Sequence, residues 1–398
     1  MSRGIPISGL TLVSALGRGW AAHARALRAD ASGLTPEPFA DGVPTLVGRV
    51  AGLDAVTLPR SLARYDCRNN RLALLALESD GFAEAVARVV RRVGPEAVGL
   101  IVGTSTSGIA ATEAAYRTQA FARTHTLPAD YPYRETHNVF ATADFARQVL
   151  GLQGPAVAVS TACSSSAKAL AAGARWLRAG VCRAVVVGGV DSLCATTLYG
   201  FRALDLLARG PVRPFSAERC GIAIGEAGGF ALLTTADLAA GEACLTLAGA
   251  GESADGYHMT APHPEGLGAY EAMAAALAAA GRGQDEIDYI ALHGTGTVYN
   301  DAAEDRAIAR LGLTHVPAGS NKGALGHTLG AAGLCALATL GVAMREGFVP
   351  GTVGTRARDP ALSVNLVLTA RPARLRVALL NTFGFGGSNC SLVVERAS

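Results

Sequence analysis

The sequence has no block of Lys and Arg, no Cys-x-x-Cys pair, no Pro/Ser/Gly-rich linker and no short-period repeat. Each absence excludes a class of protein. A formal net charge of only +3, without a basic stripe interleaved with aromatics, argues against nucleic acid as a partner. It leaves room for a local basic patch facing an acidic protein. The cysteines at 67, 163, 182, 194, 220, 244, 335 and 390 are scattered and lack zinc-ligand spacing, so no metal site is expected. A chain of 398 residues has no need of a disulfide framework. Most cysteines then read as small buried apolar residues in a reducing, cytoplasmic compartment. The first residues carry an apolar run but no long apolar core followed by a small-residue cleavage site. The most membrane-like stretch, Thr328 to Met344, has 17 residues, short for a membrane span, and reads as a buried core helix.

What is present is apolar bulk: half the residues are hydrophobic, and 48 are glycine. That suffices for a large core with close packing and tight turns. The length fits two or three domains, or one large fold of two similar halves. Short apolar runs bounded by Gly, Pro or charge predict buried strands at Val98–Val102, Ala156–Ser160, Ala184–Val187, Tyr289–Leu292 and Val377–Leu380. Helical patterns cover Cys67–Ala87, Ser164–Ala172, Tyr270–Ala280 and Ala302–Leu311. This alternation predicts an α/β fold, with parallel sheets covered by helices on both faces. Pro36–Pro59 reads as a surface excursion and Thr118–His137 as an irregular insertion. A seam near Thr234–Gly241 divides the chain into 1–236 and 237–398.

Four segments carry polar chemistry. In Val157-Ala-Val-Ser-Thr-Ala-Cys163-Ser-Ser-Ser, a Cys stands between a β-run and a helical stretch. The unpaired N–H groups and positive end of that helix would favour a thiolate and hold an oxyanion when a thioester is attacked. The plainer reading is a buried structural Cys beside a serine cap. In Leu292-His293-Gly-Thr-Gly-Thr297, a His at a strand end is presented to a cavity, and two Thr hydroxyls can bind an amide-bearing ligand. A polar turn with a solvated His is the alternative. In Ser320-Asn-Lys322-Gly-Ala-Leu-Gly-His327, Lys and His flank a Gly-rich loop that opens a long apolar helix. His327 could equally be a helix-start residue bonded to backbone. In Asn381-Thr-Phe-Gly384-Phe385-Gly-Gly387-Ser-Asn389, glycines around an aromatic give a mobile or strained turn with exposed N–H groups, or else a hairpin turn. A phosphate loop is not supported, since no Lys-Ser/Thr pair follows.

In this order, TACSSS, HGTGT, NKGALGH and NTFGFGGSN resemble the β-ketoacyl-acyl-carrier-protein synthases, the elongating condensing enzymes of the thiolase fold. Arg213-Pro-Phe215, Gly225-Glu226 and Gly251–Thr260 extend the resemblance, which runs from Gly9 to Val394. It implies a thiolase-like fold of two pseudo-symmetric halves in α-β-α-β-α layers, with the Cys in the first half and both His in the second. It implies an acyltransferase: an acyl group held as a thioester on Cys163 is condensed with a decarboxylating malonyl thioester. The substrates ride on the phosphopantetheine of acyl carrier protein, and no cofactor is bound. By resemblance, the N–H groups of Cys163 and Phe385 form the oxyanion hole, and His293 and His327 stabilise the enolate. Lys322 orders the histidine loop, and Glu226 is a buried acid holding the same network. Thr295 and Thr297 bind pantetheine. Phe385 is a gate flexed by Gly384 and Gly386, and Asp255 lies on a mobile loop beside it. Arg64, Arg68, Arg71, Arg202 and Arg209 contact the carrier protein. A second ketosynthase-like subunit, identical or not, is expected against residues 100–165.

The chain departs from the family at Ser216 and Cys220, where acids are common, and at Ser388, where Thr is frequent. Residues Gly103–Tyr116 are expected to line the acyl pocket. Their small side chains, with Glu113 and Tyr116, point away from a saturated-chain pocket and toward polyene, aryl-polyene or type II polyketide assembly. A monovalent cation near Asn300, Glu304 and Glu226 is a further expectation. The rivals are a thiolase, which would need a second reactive Cys in a context that Cys390 lacks, and a chain-length-factor-like partner, which would have lost Cys163.

Overall fold

The computed structural model describes residues 4–38, 44–239 and 243–397. A mixed sheet of 12 strands runs through it. From edge to edge its strands are Asn365–Leu366, Pro317–Gly319, Tyr289–Ala291, Val377–Gly384, Ser388–Arg396, Leu245–Ala254, Ile5–Ser14, Ala227–Thr234, Ala184–Asp191, Val98–Gly103 and Ala156–Val159. The short strand Gly17–Arg18 pairs beside Ile5–Ser14. The two sides repeat one another. Leaving aside the edge strand Asn365–Leu366, and numbering the five strands of each side in chain order, both read 3-2-4-5-1 from outside to centre. They meet where Ile5–Ile7 pairs antiparallel with Leu245–Leu247. The seam expected near Thr234–Gly241 falls in the connection between these sides; its residues 240–242 lie outside the described residues, as do 39–43 of the Pro36–Pro59 stretch.

Val98–Gly103 and Ala184–Asp191 are buried at every position. Their parallel pairing with helices on both faces explains why these strands are continuous apolar runs rather than alternating ones. All five predicted strands are present, with their ends shifted by a few residues. The predicted helix Cys67–Ala87 is instead two, Arg68–Leu77 and Phe82–Val93. Asp80 and Gly81 break it with φ of 55° and 68°. Asp80 is held there because its carboxylate accepts the Trp20 N–H and the Thr11 hydroxyl, each at 3.0 Å.

Two helices, Ser165–Arg178 and Ala332–Glu346, lie at the centre. They share one apolar cluster with Ile101 and Val187 of the first side and Leu380 and Leu392 of the second. A β-carbon at Gly333 would lie 2.7 Å from the Ala167 nitrogen, so only glycine permits this approach. Beside it the Leu334 N–H donates to Ser166 Oγ at 3.0 Å. The stretch Leu329–Glu346 is long and apolar enough to cross a membrane, but 89% of it is buried within the protein. It is the expected core helix.

Candidate active site

Cys163 sits between the strand Ala156–Val159 and the helix Ser165–Arg178. Ala162 before it takes φ of 51°, a left-handed step that is costly for a residue with a side chain. The thiol is buried, and burial pushes its pKa up to about 11. The Phe385 N–H, the Lys322 charge and the Cys163 N–H pull the other way without prevailing. The expected thiolate is therefore corrected: desolvation outweighs the helix end, and the sulfur is a thiol at neutral pH. The N–H groups of Cys163 and Phe385 both face the sulfur.

The second half of the chain brings two imidazoles to this sulfur. His327 Nε2 lies 3.0 Å from Cys163 Sγ. Its Nδ1 accepts the Leu329 N–H at 3.3 Å, which assigns the ring proton to Nε2. Burial, reinforced by Lys322, lowers its pKa to about 3. The His293 ring stands 5.4 Å from that of His327, nearly perpendicular at 82°. Burial, Lys322 and His327 hold it well below the usual range. Both rings are thus neutral at pH 7. Lys322 is buried as well, and its Nζ donates to Asn321 Oδ1 at 3.2 Å. Burial lowers its pKa, opposed first by Cys335 and then by Glu304 and Cys163.

Three ligand atoms, from Cys163, His293 and His327, fall within 4.8 Å of one another, a set that zinc could use. The Leu329 N–H against Nδ1 keeps the proton on Nε2, the nitrogen that would have to bind, and Lys322 adds positive charge alongside. The set is arranged to donate hydrogen bonds rather than to hold a metal.

Glu226 does not belong to the histidine network. Its carboxylate accepts Arg68 Nε and Nη2 at 2.7 and 2.6 Å, the Val50 N–H at 2.9 Å and the Leu193 N–H at 3.0 Å. Only its neighbour touches the site, through the Gly225 N–H to the His327 carbonyl at 2.9 Å. Glu304 fills the role instead. It accepts the N–H groups of His293 and Gly294 at 2.9 and 2.8 Å and the Asn381 amide at 3.0 Å. Burial raises its pKa to about 7. Asn300 bonds to Asp301, a neighbouring carboxylate that burial raises to about 6. Asn300, Glu304 and Glu226 thus have separate hydrogen-bond partners.

Asp191 was not singled out from sequence. It accepts the hydroxyls of Thr104 and Thr106 at 2.6 and 2.9 Å and the Gly330 N–H at 2.6 Å, fastening the turn after His327. Glu304 did leave a sequence signal. Asp301, Glu304 and Asp305 recur at i, i+3 and i+4 among Ala303, Ala307 and Ile308, which places three acids on a buried helix face.

A cavity leads to Cys163 and both histidines. Thr295 and Thr297 line it, with hydroxyls 2.9 Å apart. So do Phe385, Gly384 and Asp255. The Phe385 ring lies 5.5 Å from that of Phe201. Asp255 is fixed by the Asn389 amide at 2.7 Å and the His263 N–H at 2.9 Å, and its own N–H donates to the Gly387 carbonyl. Residues Gly103–Tyr116, expected at the acyl pocket, are absent from this lining. Among the arginines, Arg68 is clamped between Glu226 and Asp54 with its side chain 16% exposed, so it is withdrawn as a docking residue. Arg71 is bound to both Asp66 oxygens. Arg64 and Arg209 are exposed, with long contacts to Glu135 and Asp205, and Arg202 is half-buried.

A cysteine at a helix start, met by two neutral imidazoles from a second half of like strand order, defines a thiolase-like condensing enzyme. Residues 69–239 match the family model of the beta-ketoacyl synthase N-terminal domain, and residues 245–356 that of the C-terminal domain. The chain belongs to the β-ketoacyl synthase family. It is 34% identical over 314 residues to Nodulation protein E of Rhizobium meliloti, covering 75% of each chain. It is 36% identical over 260 residues to 3-oxoacyl-[acyl-carrier-protein] synthase 2 of Rhizobium meliloti (strain 1021), covering 62% of each. Among solved structures, the ketosynthase ApeO in complex with its chain length factor ApeC, from Xenorhabdus doucetiae, superposes with a TM-score of 0.91 at 34% identity, over 99% of this chain and 98% of that one. The ishigamide ketosynthase/chain length factor superposes at 0.89 with 25% identity.

Proposed function

We propose that the protein elongates an acyl chain held on Cys163 by decarboxylative condensation with a malonyl group carried on acyl carrier protein. The observation that carries this is the 3.0 Å approach of His327 Nε2 to Cys163 Sγ in a cavity that also holds His293. Cys163 Sγ attacks the thioester carbonyl of the acyl carrier. A carbon–sulfur bond forms, and the carrier thiol leaves with the Cys163 proton. Malonyl carrier then binds along Thr295 and Thr297. As its carboxylate departs as carbon dioxide, the electron pair moves into an enolate whose oxygen receives hydrogen bonds from His293 and His327. Neutral imidazoles suit that task, because charge appears at the oxygen only as the bond breaks. The enolate carbon attacks the acyl carbonyl, whose oxygen is held by the Cys163 and Phe385 N–H groups. The carbon–sulfur bond then breaks, and the departing Cys163 thiolate takes up one proton from water to become a thiol again.

The thiolase reading is disfavoured because Cys390, weighed as its second nucleophile, is buried in the strand Ser388–Arg396 and does not line the cavity that reaches Cys163. We assign the site roles of Lys322 and of the Phe385 gate in the same spirit, and read 1–236 and 237–398 as the two halves from their common strand order. The likeness to ApeO in complex with its chain length factor supports a heterodimer in which this chain is the catalytic subunit. We read its substrate as a fatty, polyene or polyketide acyl chain, with no bound cofactor. Eight unpaired cysteines suit the cytoplasm. Intact-protein mass spectrometry with an acyl carrier tests the reading: an acyl adduct on Cys163, lost in Cys163→Ala, is expected. An adduct elsewhere, or condensation by the alanine variant, would overturn it.

A further inference from the structure

We propose that Glu113 is a positioning residue that holds the gate over Cys163 closed; the inference rests on the reading of Cys163 as nucleophile. The helix Ala195–Ala203 carries Phe201, whose ring meets that of Phe385 at 5.5 Å in the cavity wall. Phe385 in turn directs its N–H at the Cys163 sulfur. Of the nine residues of this helix only Leu198 is buried; Tyr199 at its middle is 40% exposed and Leu204 just beyond it 48%. Apolar packing alone therefore anchors it weakly.

Its N-terminus has no cap of its own, since the side chain of Cys194 caps nothing. Glu113, on the separate helix Ile109–Tyr116, supplies the cap. Its carboxylate accepts the Ala195 N–H at 3.0 Å, the Thr196 N–H at 2.6 Å and the Thr196 hydroxyl at 2.6 Å. A carboxylate at this end also meets the positive pole of the helix. The supporting helix is itself tied down, because Thr112 beside Glu113 bonds to Tyr131 and His137, each at 2.5 Å. The chain of contact runs from Glu113 through the Phe201 helix to Phe385 and the sulfur. Glu113 never touches a reacting atom. It fixes the ring against which the gate closes.

The test is the rate at which iodoacetamide alkylates each cysteine of the full-length protein, read by peptide mass spectrometry. Buried Cys335 serves as an internal control, since general loosening would expose it too. Glu113→Ala is expected to speed alkylation of Cys163 severalfold and leave Cys335 unchanged. Glu113→Gln and Thr196→Val, which keep part of the cap, should show smaller effects of the same sign and cover the case where the alanine variant folds poorly. The variant Phe201→Ala should match Glu113→Ala, and the double variant should be no faster than Phe201→Ala alone, because both act on one contact. Wild-type alkylation rates in the Glu113 variants, or effects that multiply in the double variant, would overturn the proposal. A wild-type protein that condenses nothing would sink the proposed activity while leaving the alkylation result standing, so the two failures read differently.

Discussion

The sulfur side of the site and the imidazole side are built by opposite means. Cys163 is placed without any carboxylate: by a left-handed step at Ala162, by the Ser165 hydroxyl, which donates to the Ala162 carbonyl at 2.6 Å and accepts the Thr161 N–H at 2.9 Å, and by the facing turn at Phe385. The histidines are placed by buried carboxylates, Glu304 beneath His293 and Asp191 behind the turn that follows His327. The difference follows from what each side must leave free. N–H groups that are to receive a developing negative charge cannot already be satisfied by a side chain. The carboxylates bind main-chain N–H groups beside the rings, so they fix where each ring stands.

Breaking the pairs tests this contrast, and the largest expected effect lies outside the site. Arg68→Ala leaves Glu226 buried with a charge and two N–H groups, and should cost about 3–5 kcal/mol of stability. Chemical denaturation measures it. Activity per folded molecule should hardly change, because the pair does not touch the histidines; a selective loss of decarboxylation would restore Glu226 to the histidine network. Glu304→Gln should cost less, about 1–3 kcal/mol, since an amide oxygen in the place of Oε1 still accepts two of the three donors. Here malonyl decarboxylation should fall with stability, as His293 loses its support. The pH dependence has a definite sign. Burial raises the Glu304 pKa to about 7, so the folded state holds this proton more tightly than the unfolded chain. Its contribution to stability therefore declines as pH rises from the ordinary carboxylate range to 7, and the glutamine variant should lack that decline.

Two smaller effects sharpen the comparison. With the Cys163 pKa near 11, its alkylation rate should climb steadily from pH 7 to 10 with no plateau; a plateau near 7 would reveal a thiolate–imidazolium pair. With the His327 pKa near 3, decarboxylation should show no acid limb at pH 6.5, and one there would mean that a histidine is charged at rest.

The strands, the central helix and the order of the four motifs were legible because each rests on local pattern: apolar runs, glycines at turns, a Cys or His at a strand end. The motif residues do meet, Cys163 with His293 and His327, and Phe385, Thr295, Thr297 and Asp255 around one cavity. What stayed hidden was pairing at a distance. Family resemblance makes Glu226 a site acid, yet its partner is Arg68, 158 positions away. Glu113 looks like a pocket residue, and only the fold shows it reaching Ala195. The thiol state of Cys163 was misjudged for a related reason. A helix start can be read from sequence, whereas the depth at which it is buried is set by the second half of the chain.

The contact between Gly333 and Ala167 has a consequence for the accuracy of the site. Cys163 opens one of these two helices and His327 lies just ahead of the other. At the crossing only the Ala167 methyl stands beside Gly333, so close packing of the two main chains meters the separation of sulfur and ring. A single added methyl group at that crossing would spread the two reacting groups apart without altering either.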